Sequence, residues 1–220
     1  MVRRLGSLVL AAVLILGGGL LLREYLAPSL TTTPDGTPAP AQDLHLPADE
    51  ARDRARAAAD SATSDAVATR AVTMHVAVPS VGIDAPILSE GIDDNLMTLP
   101  DDPSEVGWLD STAALSDPQG STLVAGHVSW GGQHGAMYEL GRSEPGELVH
   151  TWDGDGTLST WVITDVQMFH KEQLPEEIFQ PSGQRSLALV TCGGQLIQLS
   201  QTRWVHESNI VVRAVPVVAS

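Results

Sequence analysis

"SLALVTCGGQL", residues 186–196, has the pattern of a β-strand that runs into a pair of glycines. Two-residue alternation places Val190 and Cys192 on one face of this strand and Leu189 and Thr191 on the other. Glycines interrupt strands and allow another backbone or a ligand to approach closely. The only cysteine of the chain is therefore predicted to lie at a strand end beside open backbone.

Five further segments rich in β-branched and aromatic residues are separated by Gly, Pro and Asp. They are 72–79, 121–127, 146–153, 156–169 and 209–218. Their spacing predicts an all-β barrel or sandwich. The sequence DGDG at 153–156 predicts a tight hairpin between two of these strands. Helix signals within this region are short: LPEEIFQ at 174–180 and HGAMYEL at 134–140.

An uncharged apolar stretch from Leu5 to Leu22 follows the basic start MVRR. As a helix this stretch reaches about 27 Å, just enough to span a bilayer core. We predict an uncleaved transmembrane anchor over 5–22, with residues 1–4 in the cytoplasm and the rest of the chain outside. A cleaved signal peptide is the competing interpretation, because a short apolar run behind a basic start is also typical of secretion signals.

Residues 23–70 have the composition of a linker. The first half is dense in Pro and Thr, and the second half is rich in Ala and Arg. Glu50 lies four residues before Arg54, which favours helix, but no stripe of large apolar residues accompanies the pair. We therefore expect any helix here to be marginal and solvated, and the folded domain to cover 71–220, a length sufficient for one core.

The acidity of the chain and its single cysteine restrict its functions. A formal net charge of −15 repels nucleic acid and anionic lipid headgroups. One cysteine cannot form an internal disulfide, so an exported free thiol is worth considering as a reactive group. Free cysteines are nevertheless among the most buried residues. The residue pattern alone therefore leaves Cys192 open between a packing residue and a nucleophile.

A nucleophilic thiol needs a proton acceptor or an ion-pair partner, and its acyl intermediate needs a positively charged or hydrogen-bond-donating group for the developing oxyanion. Of the seven histidines, His127 is the leading candidate because it also ends a predicted strand, ahead of a Gly-rich loop. His134 and His206 stay open on position alone. His45 lies in the predicted linker, and the other three histidines are assigned to surface or packing positions.

Two stretches, TLVAGHVSWGGQHGAMYEL at 122–140 and LALVTCGG at 187–194, resemble the sortases, membrane-anchored cysteine transpeptidases of Gram-positive bacteria. The resemblance runs from about His75 to Val217. It also includes VAVPSVGIDAPI, VGWL, EPGELV and the closing NIVVRAVPV. Among the subgroups the chain is most similar to class F of actinobacteria, because of TCGG and the ending in which valines follow an asparagine.

The resemblance implies a sortase-type eight-stranded β-barrel with short helices, preceded by the transmembrane helix and linker. It also implies that a His, a Cys and an Arg meet at one end of a groove. His127 and Cys192 match the first two residues, and Arg203 lies in the segment where the family places its arginine. Arg213 is the alternative. Ser129 stands where similar sequences often have an acidic residue, so the partner that orients the histidine is left undetermined.

The resemblance further implies cleavage of an LPXTG-like sorting signal between Thr and Gly through a cysteine thioester. The acyl group would pass to an amine of a cell-wall precursor. The expected partners are sorting signals of secreted surface proteins, the acceptor amine, and the membrane through the N-terminal helix, with no nucleic acid. The expected location is the cell membrane, with a single span and an extracellular catalytic domain.

No cofactor or metal is expected. The acidic stretch DDPSE at 101–105 is interpreted as a solvated turn and not as a calcium site. A zinc protein using Cys192, His127 and His134 is disfavoured, because the chain has neither C-x-x-C nor H-E-x-x-H spacing. Two alternatives remain open: a non-catalytic extracytoplasmic barrel that binds peptide, and a thiol peptidase that releases the acyl group to water.

Overall fold

The computed structural model describes residues 44–59, 73–198 and 204–217. The predicted transmembrane helix over 5–22, most of the predicted linker, and Arg203 lie outside the described residues. Among the residues that are described, no helix has the length and apolar character needed to cross a membrane.

Thirteen strands and one α-helix make up the described chain, together with four short 3-10 helices. In chain order the strands and α-helix are β1 (Leu44–His45), α1 (Ala48–Ala59), β2 (His75–Val78), β3 (Ile83–Glu90), β4 (Ile92–Asp93), β5 (Leu96–Met97), β6 (Val106–Leu109), β7 (Ser121–Gly126), β8 (Ser129–Trp130), β9 (Gln133–His134), β10 (Leu148–Trp152), β11 (Leu158–His170), β12 (Ser186–Gln198) and β13 (Trp204–Pro216). The 3-10 helices are Pro79–Val81, Leu140–Arg142, Lys171–Gln173 and Glu176–Phe179.

Eight of these strands form a closed barrel in the order β11-β10-β2-β3-β6-β7-β12-β13, and pairing of β13 with β11 completes the ring. The β3–β6 and β7–β12 pairs are parallel, and the other pairs are antiparallel. Closure leaves no free edge within the barrel. The predicted all-β, eight-stranded barrel with short helices is confirmed.

The barrel interior is a single apolar core to which all eight strands contribute. Leu187 and Leu189 of β12 face this core, and Val212 and Ala214 of β13 meet them from the neighbouring strand. The alternate residues of β12, such as Val190, belong to a separate apolar cluster outside the barrel. The alternation predicted for the cysteine strand is therefore confirmed, and it determines which side chains face the outside.

The sequence pattern missed two barrel strands and located one hairpin. β3 contains Pro86, which interrupts the strand signal, and β6 is only four residues long. The DGDG turn does join β10 to β11. Its first residue, Asp153, accepts hydrogen bonds from the backbone N–H groups of Asp155 and Thr157 at 3.0 and 2.8 Å. The acidic side chain therefore stabilises the turn that the sequence predicted.

The N-terminal part of the described chain is folded onto the barrel. β1 pairs with β11, and α1 buries Ala51 and Ala55, which are 0% and 1% exposed, in a small cluster with Val162 and Val215. The prediction of a solvated linker extending to residue 70 is therefore wrong for 44–59. Two alanines one helical turn apart form a narrow apolar face. A search for large apolar residues overlooks such a face.

Candidate active site

His127 and Cys192 are brought together by the parallel pairing of β7 with β12. The last paired residues of the two strands are Gly126 and Thr191, which lie opposite each other. His127 and Cys192 are the next residue of each chain, and neighbouring strands are about 4.8 Å apart. The Thr191 hydroxyl donates to the Gly126 carbonyl oxygen at 2.8 Å and so ties the two strands together directly before this pair.

Two further strands extend the same level of the sheet. Cys192 lies opposite Asn209 of β13, and Asn209 lies opposite Phe169 of β11. We call His127, Cys192, Asn209 and Phe169 the thiol row. The next row on the same face, which we describe as one step below, consists of Ala125, Val190, Val211 and Gln167. The row two steps below consists of Leu123, Ala188, Arg213 and Asp165.

An apolar surface lies below the thiol row on the outside of the barrel. Its buried members come from three barrel strands, from the end of β6 and from the 3-10 helix at 176–179: Leu109, Leu123, Ala125, Ile178, Ala188, Val190 and Val211. Met97, Leu99, Phe169 and Leu174 pack around it and remain partly exposed. The thiol, itself partly buried, therefore lies at the end of this apolar surface, of which only the surrounding residues are partly exposed.

The imidazole of His127 is contacted by the Pro100 loop, which lies 27 residues earlier, and by Trp130 of the hairpin that follows it. Its Nε2 lies 3.2 Å from the Pro100 carbonyl oxygen, and its ring stacks on Trp130 with centroids 4.8 Å apart. A carbonyl oxygen can only accept, so this contact places a proton on Nε2. Nδ1 is thereby left as the nitrogen that can exchange a proton. The question that Ser129 left open is answered by a backbone carbonyl.

Hydrogen bonds within and to the 101–105 turn stabilise the loop that contains Pro100. Asp102 accepts hydrogen bonds from the Ser104 hydroxyl and backbone N–H at 2.7 and 2.9 Å, and these bonds lower the pKa of the Asp102 carboxyl. The Ala136 backbone N–H donates to the Pro103 carbonyl oxygen at 2.6 Å. The DDPSE stretch is therefore a turn that positions the Pro100 carbonyl. Among the described residues, no group of three or more His, Cys, Asp or Glu could hold a metal ion.

The two glycines after the thiol distort β12 without ending it. Gly194 has a φ of +73°, and the register with β13 shifts between Gly193 and Leu196 before pairing resumes as far as Gln198. A Cβ on Gly193 would lie 2.6 Å from Ile210 Cγ1. The strand end predicted at the glycines is thus a kink inside a longer strand. The kink changes the direction of the backbone directly after Cys192.

Of the two candidate arginines, only Arg213 lies within the described residues. Arg213 lies two steps below the thiol row, about 13 Å along the strand from Asn209. Its guanidinium contacts Asp165 at 3.1 Å and donates to Glu177 at 2.7 Å. Arg213 therefore neutralises a buried carboxylate and ties β13 to the 3-10 helix at 176–179.

The alternative histidine partners are engaged elsewhere. His134 lies on the β8–β9 hairpin and stacks on Tyr138, with ring centroids 3.6 Å apart. His206 is buried beyond the glycine kink, with Nδ1 3.2 Å from the Gly194 carbonyl oxygen. Burial is the main cause that lowers the pKa of His206, and the positive charge of Lys171 adds to it. The structure thus places His127, and neither alternative, next to Cys192.

Sequence reasoning missed Pro100, Trp130 and Asn209. A backbone carbonyl leaves no trace in a sequence, and the stacking of Trp130 depends on the turn of its hairpin. Asn209 alone could have been found, because it begins the run of valines in the last predicted strand. If that strand is paired with the cysteine strand, residue 209 lies opposite residue 192.

Comparison with known families and structures identifies the family and the fold of this chain. A family model described as "Sortase domain" matches residues 76–217. A comparison with curated protein sequences gives no significant match. Three solved structures illustrate the shared fold. Sortase C1 of Streptococcus agalactiae is 14% identical, with a TM-score of 0.51, covering 77% of this chain and 88% of its own.

The other two are equally remote in sequence. A lid mutant of sortase A from Corynebacterium diphtheriae is 16% identical, with a TM-score of 0.50, covering 78% of this chain and 94% of its own. Sortase C-1 from Actinomyces oris is 15% identical, with a TM-score of 0.50, covering 76% and 99%. At these identities the structural likeness shows the fold alone.

Proposed function

Because this chain belongs to the sortase family, whose members are cysteine transpeptidases, we propose that it cleaves an LPXTG-like sorting signal between Thr and Gly and transfers the acyl group to an amine. The observation that carries the proposal is the position of His127 and Cys192 directly after the last parallel pair of β7 and β12, beside an apolar surface whose partly exposed rim we take as the peptide contact. A nucleophile and a proton carrier are the minimum that acyl transfer requires.

The first half-reaction forms a thioester. The Cys192 thiolate attacks the threonine carbonyl carbon, and the π electrons of the carbonyl move to its oxygen. When this tetrahedral species collapses, the C–N bond breaks and protonated His127 donates a proton to the departing glycine amine. With Nε2 directed at the Pro100 carbonyl oxygen, Nδ1 is the nitrogen that supplies this proton.

The second half-reaction returns the enzyme to its starting state. An acceptor amine attacks the thioester carbonyl, His127 takes up a proton from that amine, and the thiolate leaves. We propose a cell-wall precursor as the source of the amine, and Arg203 as the residue that hydrogen-bonds the substrate backbone or the oxyanion. Membrane anchoring through 5–22, the extracellular location of the catalytic domain and membership of class F belong to the same proposal.

Attachment to a membrane would serve this chemistry. A membrane-held enzyme, a membrane-held substrate and a lipid-linked acceptor share a thin layer, which raises their effective concentrations. Release of the acyl group to water is the competing outcome, because the same two residues would support hydrolysis. A barrel that binds peptide without reaction is the non-catalytic alternative.

The test incubates the chain with a Leu-Pro-Ala-Thr-Gly peptide and an amine acceptor, and follows thioester and product by mass spectrometry. We expect wild type to form both, Cys192→Ala to form neither, and His127→Ala to be slower by about 10²- to 10⁴-fold. Arg203→Ala is expected to lose most turnover. A wild-type chain that yields only the hydrolysed peptide would identify a peptidase, and one that binds peptide without a thioester would identify a binding module.

A further inference from the structure

The strand register places one uncharged hydrogen-bond donor directly beside the nucleophile. We propose that the side-chain amide of Asn209 donates a hydrogen bond to the oxyanion that forms when Cys192 attacks the substrate carbonyl. The inference rests on the proposed function in that it takes the thiol to be the attacking group.

The position of Asn209 follows from the pairing of β12 with β13. Residues directly opposite each other in an antiparallel pair share a face, with Cβ atoms about 4.5–5.5 Å apart. Cys192 and Asn209 form such a pair, and the register shift in β12 begins only after Gly193. Val190 and Val211, one step below, both face the apolar surface, so Cys192 and Asn209 face the same side.

The Asn209 carboxamide is not engaged by any of the residues that the structure describes. It makes no side-chain hydrogen bond to another described residue, and it is neither fully buried nor fully exposed. Gln167, the carboxamide one step below, is engaged by comparison, because its Oε1 accepts from Arg213 at 3.3 Å. A polar side chain that lies beside an apolar surface, with no partner among the described residues, is suited to meet the polar backbone of a bound peptide.

Two cations of the described chain can be placed against the thiol row, and neither replaces Asn209. Arg213 lies about 13 Å along β13 and is paired with Asp165 and Glu177. Lys171 follows the end of β11, which is separated from β12 by β13, so it lies about 10 Å across the sheet from the cysteine strand. The amide is thus the donor that strand pairing itself directs to the reacting atoms.

The amide would act in both half-reactions. Attack by the thiolate forms the S–C bond and moves the carbonyl π electrons to oxygen, and the amide N–H donates to that oxygen while the negative charge is present. Collapse restores the C=O bond as the C–N bond breaks. A neutral donor is suited to this role because it stabilises the oxyanion without competing with His127 for the charge of the thiolate.

The test measures a tetrahedral adduct and turnover in the same variants of the full chain. A Leu-Pro-Ala-Thr peptide ending in an aldehyde adds to Cys192 and forms a thiohemiacetal, whose oxygen occupies the oxyanion position. Asn209→Ala is expected to weaken this adduct about 100-fold and to slow thioester formation from the sorting peptide by a similar factor, with KM unchanged. The rate at which iodoacetamide alkylates Cys192 should not change.

Asn209→Asp is the second variant, because it keeps the shape and removes the donor when ionised; it should weaken the adduct at least as much. Gln167→Ala is the matched control, since it removes a carboxamide one step away, and it should leave the adduct unchanged. Equal aldehyde affinity in wild type, Asn209→Ala and Asn209→Asp overturns the inference. A fall in the alkylation rate that parallels the loss of adduct also overturns it, because Asn209 would then act on the thiol.

The adduct also separates this inference from the proposed function. If wild type fails to cleave the sorting peptide while Asn209→Ala still weakens the aldehyde adduct, the proposed substrate is wrong and the role of Asn209 stands. If wild type cleaves the peptide and all variants bind the aldehyde equally, the proposed function stands and the role of Asn209 is wrong.

Discussion

At the scale of single residues, the reactive pair depends on what holds His127. Its ring is fixed by the Pro100 carbonyl on one nitrogen and by the Trp130 indole on one face. Gly135 leaves the room for this arrangement, because a Cβ there would lie 2.0 Å from the His127 carbonyl oxygen. The histidine is thus oriented by neutral groups, and no carboxylate is needed to fix its tautomer.

Trp130→Ala should therefore impair turnover without weakening the fold. Trp130 is 55% exposed, so its loss should change the free energy of unfolding by less than about 0.5 kcal/mol. Loss of the stacking partner frees the imidazole, and a misplaced catalytic group costs about 10- to 100-fold in rate. Thioester formation and urea denaturation of the same sample measure the two effects.

The control for this prediction is Leu96→Ala, which removes another exposed apolar side chain, one that is 70% exposed on the β4–β5 hairpin. That variant should keep wild-type turnover. Trp130→Phe keeps an aromatic face and should recover most of the lost rate. A Trp130→Ala enzyme as fast as wild type would show that the stacking does not position the imidazole.

At the scale of elements, β13 reaches the thiol row near one end and a buried carboxylate further along the strand. Asn209 lies in the thiol row, whereas Arg213, two steps below, contacts the buried carboxylate of Asp165. His45 of β1 shares that carboxylate, with Nδ1 2.7 Å from Oδ1. Asp165 therefore joins β1, β11 and β13, and Arg213 is the cation that offsets the cost of burying it.

Arg213→Ala should destabilise the barrel while leaving turnover within a few-fold of wild type. Asp165 is 8% exposed, and removing the partner of a buried charge costs about 3–5 kcal/mol. Partial exposure of Arg213, at 28%, and the remaining contact with His45 reduce the expected loss to about 2 kcal/mol. Urea denaturation and peptide turnover provide the two measurements.

Arg142→Ala is the matched control. Arg142 also pairs with a carboxylate, that of Glu139 at 3.0 Å, but both side chains are largely solvated, so the loss should stay below about 1 kcal/mol. An Arg213→Ala enzyme that is fully stable and inactive would instead place Arg213 at the reacting atoms and identify it as the catalytic arginine.

The elements that the sequence predicted well are those with long and regular alternation. β12 shows this best, because every second residue enters the barrel core and the others face the outer apolar surface. β3 and β6 were not predicted from the sequence. A strand that contains a proline, or one that has only four residues, shows too little alternation to be distinguished from a loop. The parallel pairing of β7 with β12 has no local signal at all.

At the scale of the whole molecule, the described N-terminal segment is part of the folded domain. Arg52 donates from Nε to the Pro216 carbonyl oxygen at 3.2 Å, and α1 covers the ends of β11 and β13 where Val162 and Val215 face outward. The segment thus shields apolar surface that the barrel alone would expose. It also fixes residue 44 against the barrel, whatever precedes it along the chain.

A chain that begins at residue 71 should consequently be less stable than one that begins at residue 44. The first loses the burial of Leu46, Ala51 and Ala55, which contributes about 3 kcal/mol before the entropy of ordering the segment reduces the net loss. Urea midpoints of the two chains measure the difference. Equal midpoints would show that the segment adds nothing to the fold.

A point substitution tests the same contact in the full chain. Ala51→Asp forces a charge into the interface and should release the segment, whereas Asp53→Ala on the exposed side of α1 should have little effect. Proteolysis within 46–59 in Ala51→Asp, but not in Asp53→Ala, would show that the helix is held by its alanine face.

Side-chain alternation and short motifs were enough to predict a β-fold, the two faces of the cysteine strand, and His127 and Cys192 as the candidate pair. These features are local or motif-based, because side-chain alternation and short signatures depend on residues close together in the chain. The folded structure was needed to show that α1 packs on the barrel, that Pro100 and Trp130 contact His127, and that Asn209 lies opposite Cys192. Each of these depends on strand register, loop placement or the turn of a hairpin, which the packing of the whole domain fixes and which leaves no local pattern in the sequence.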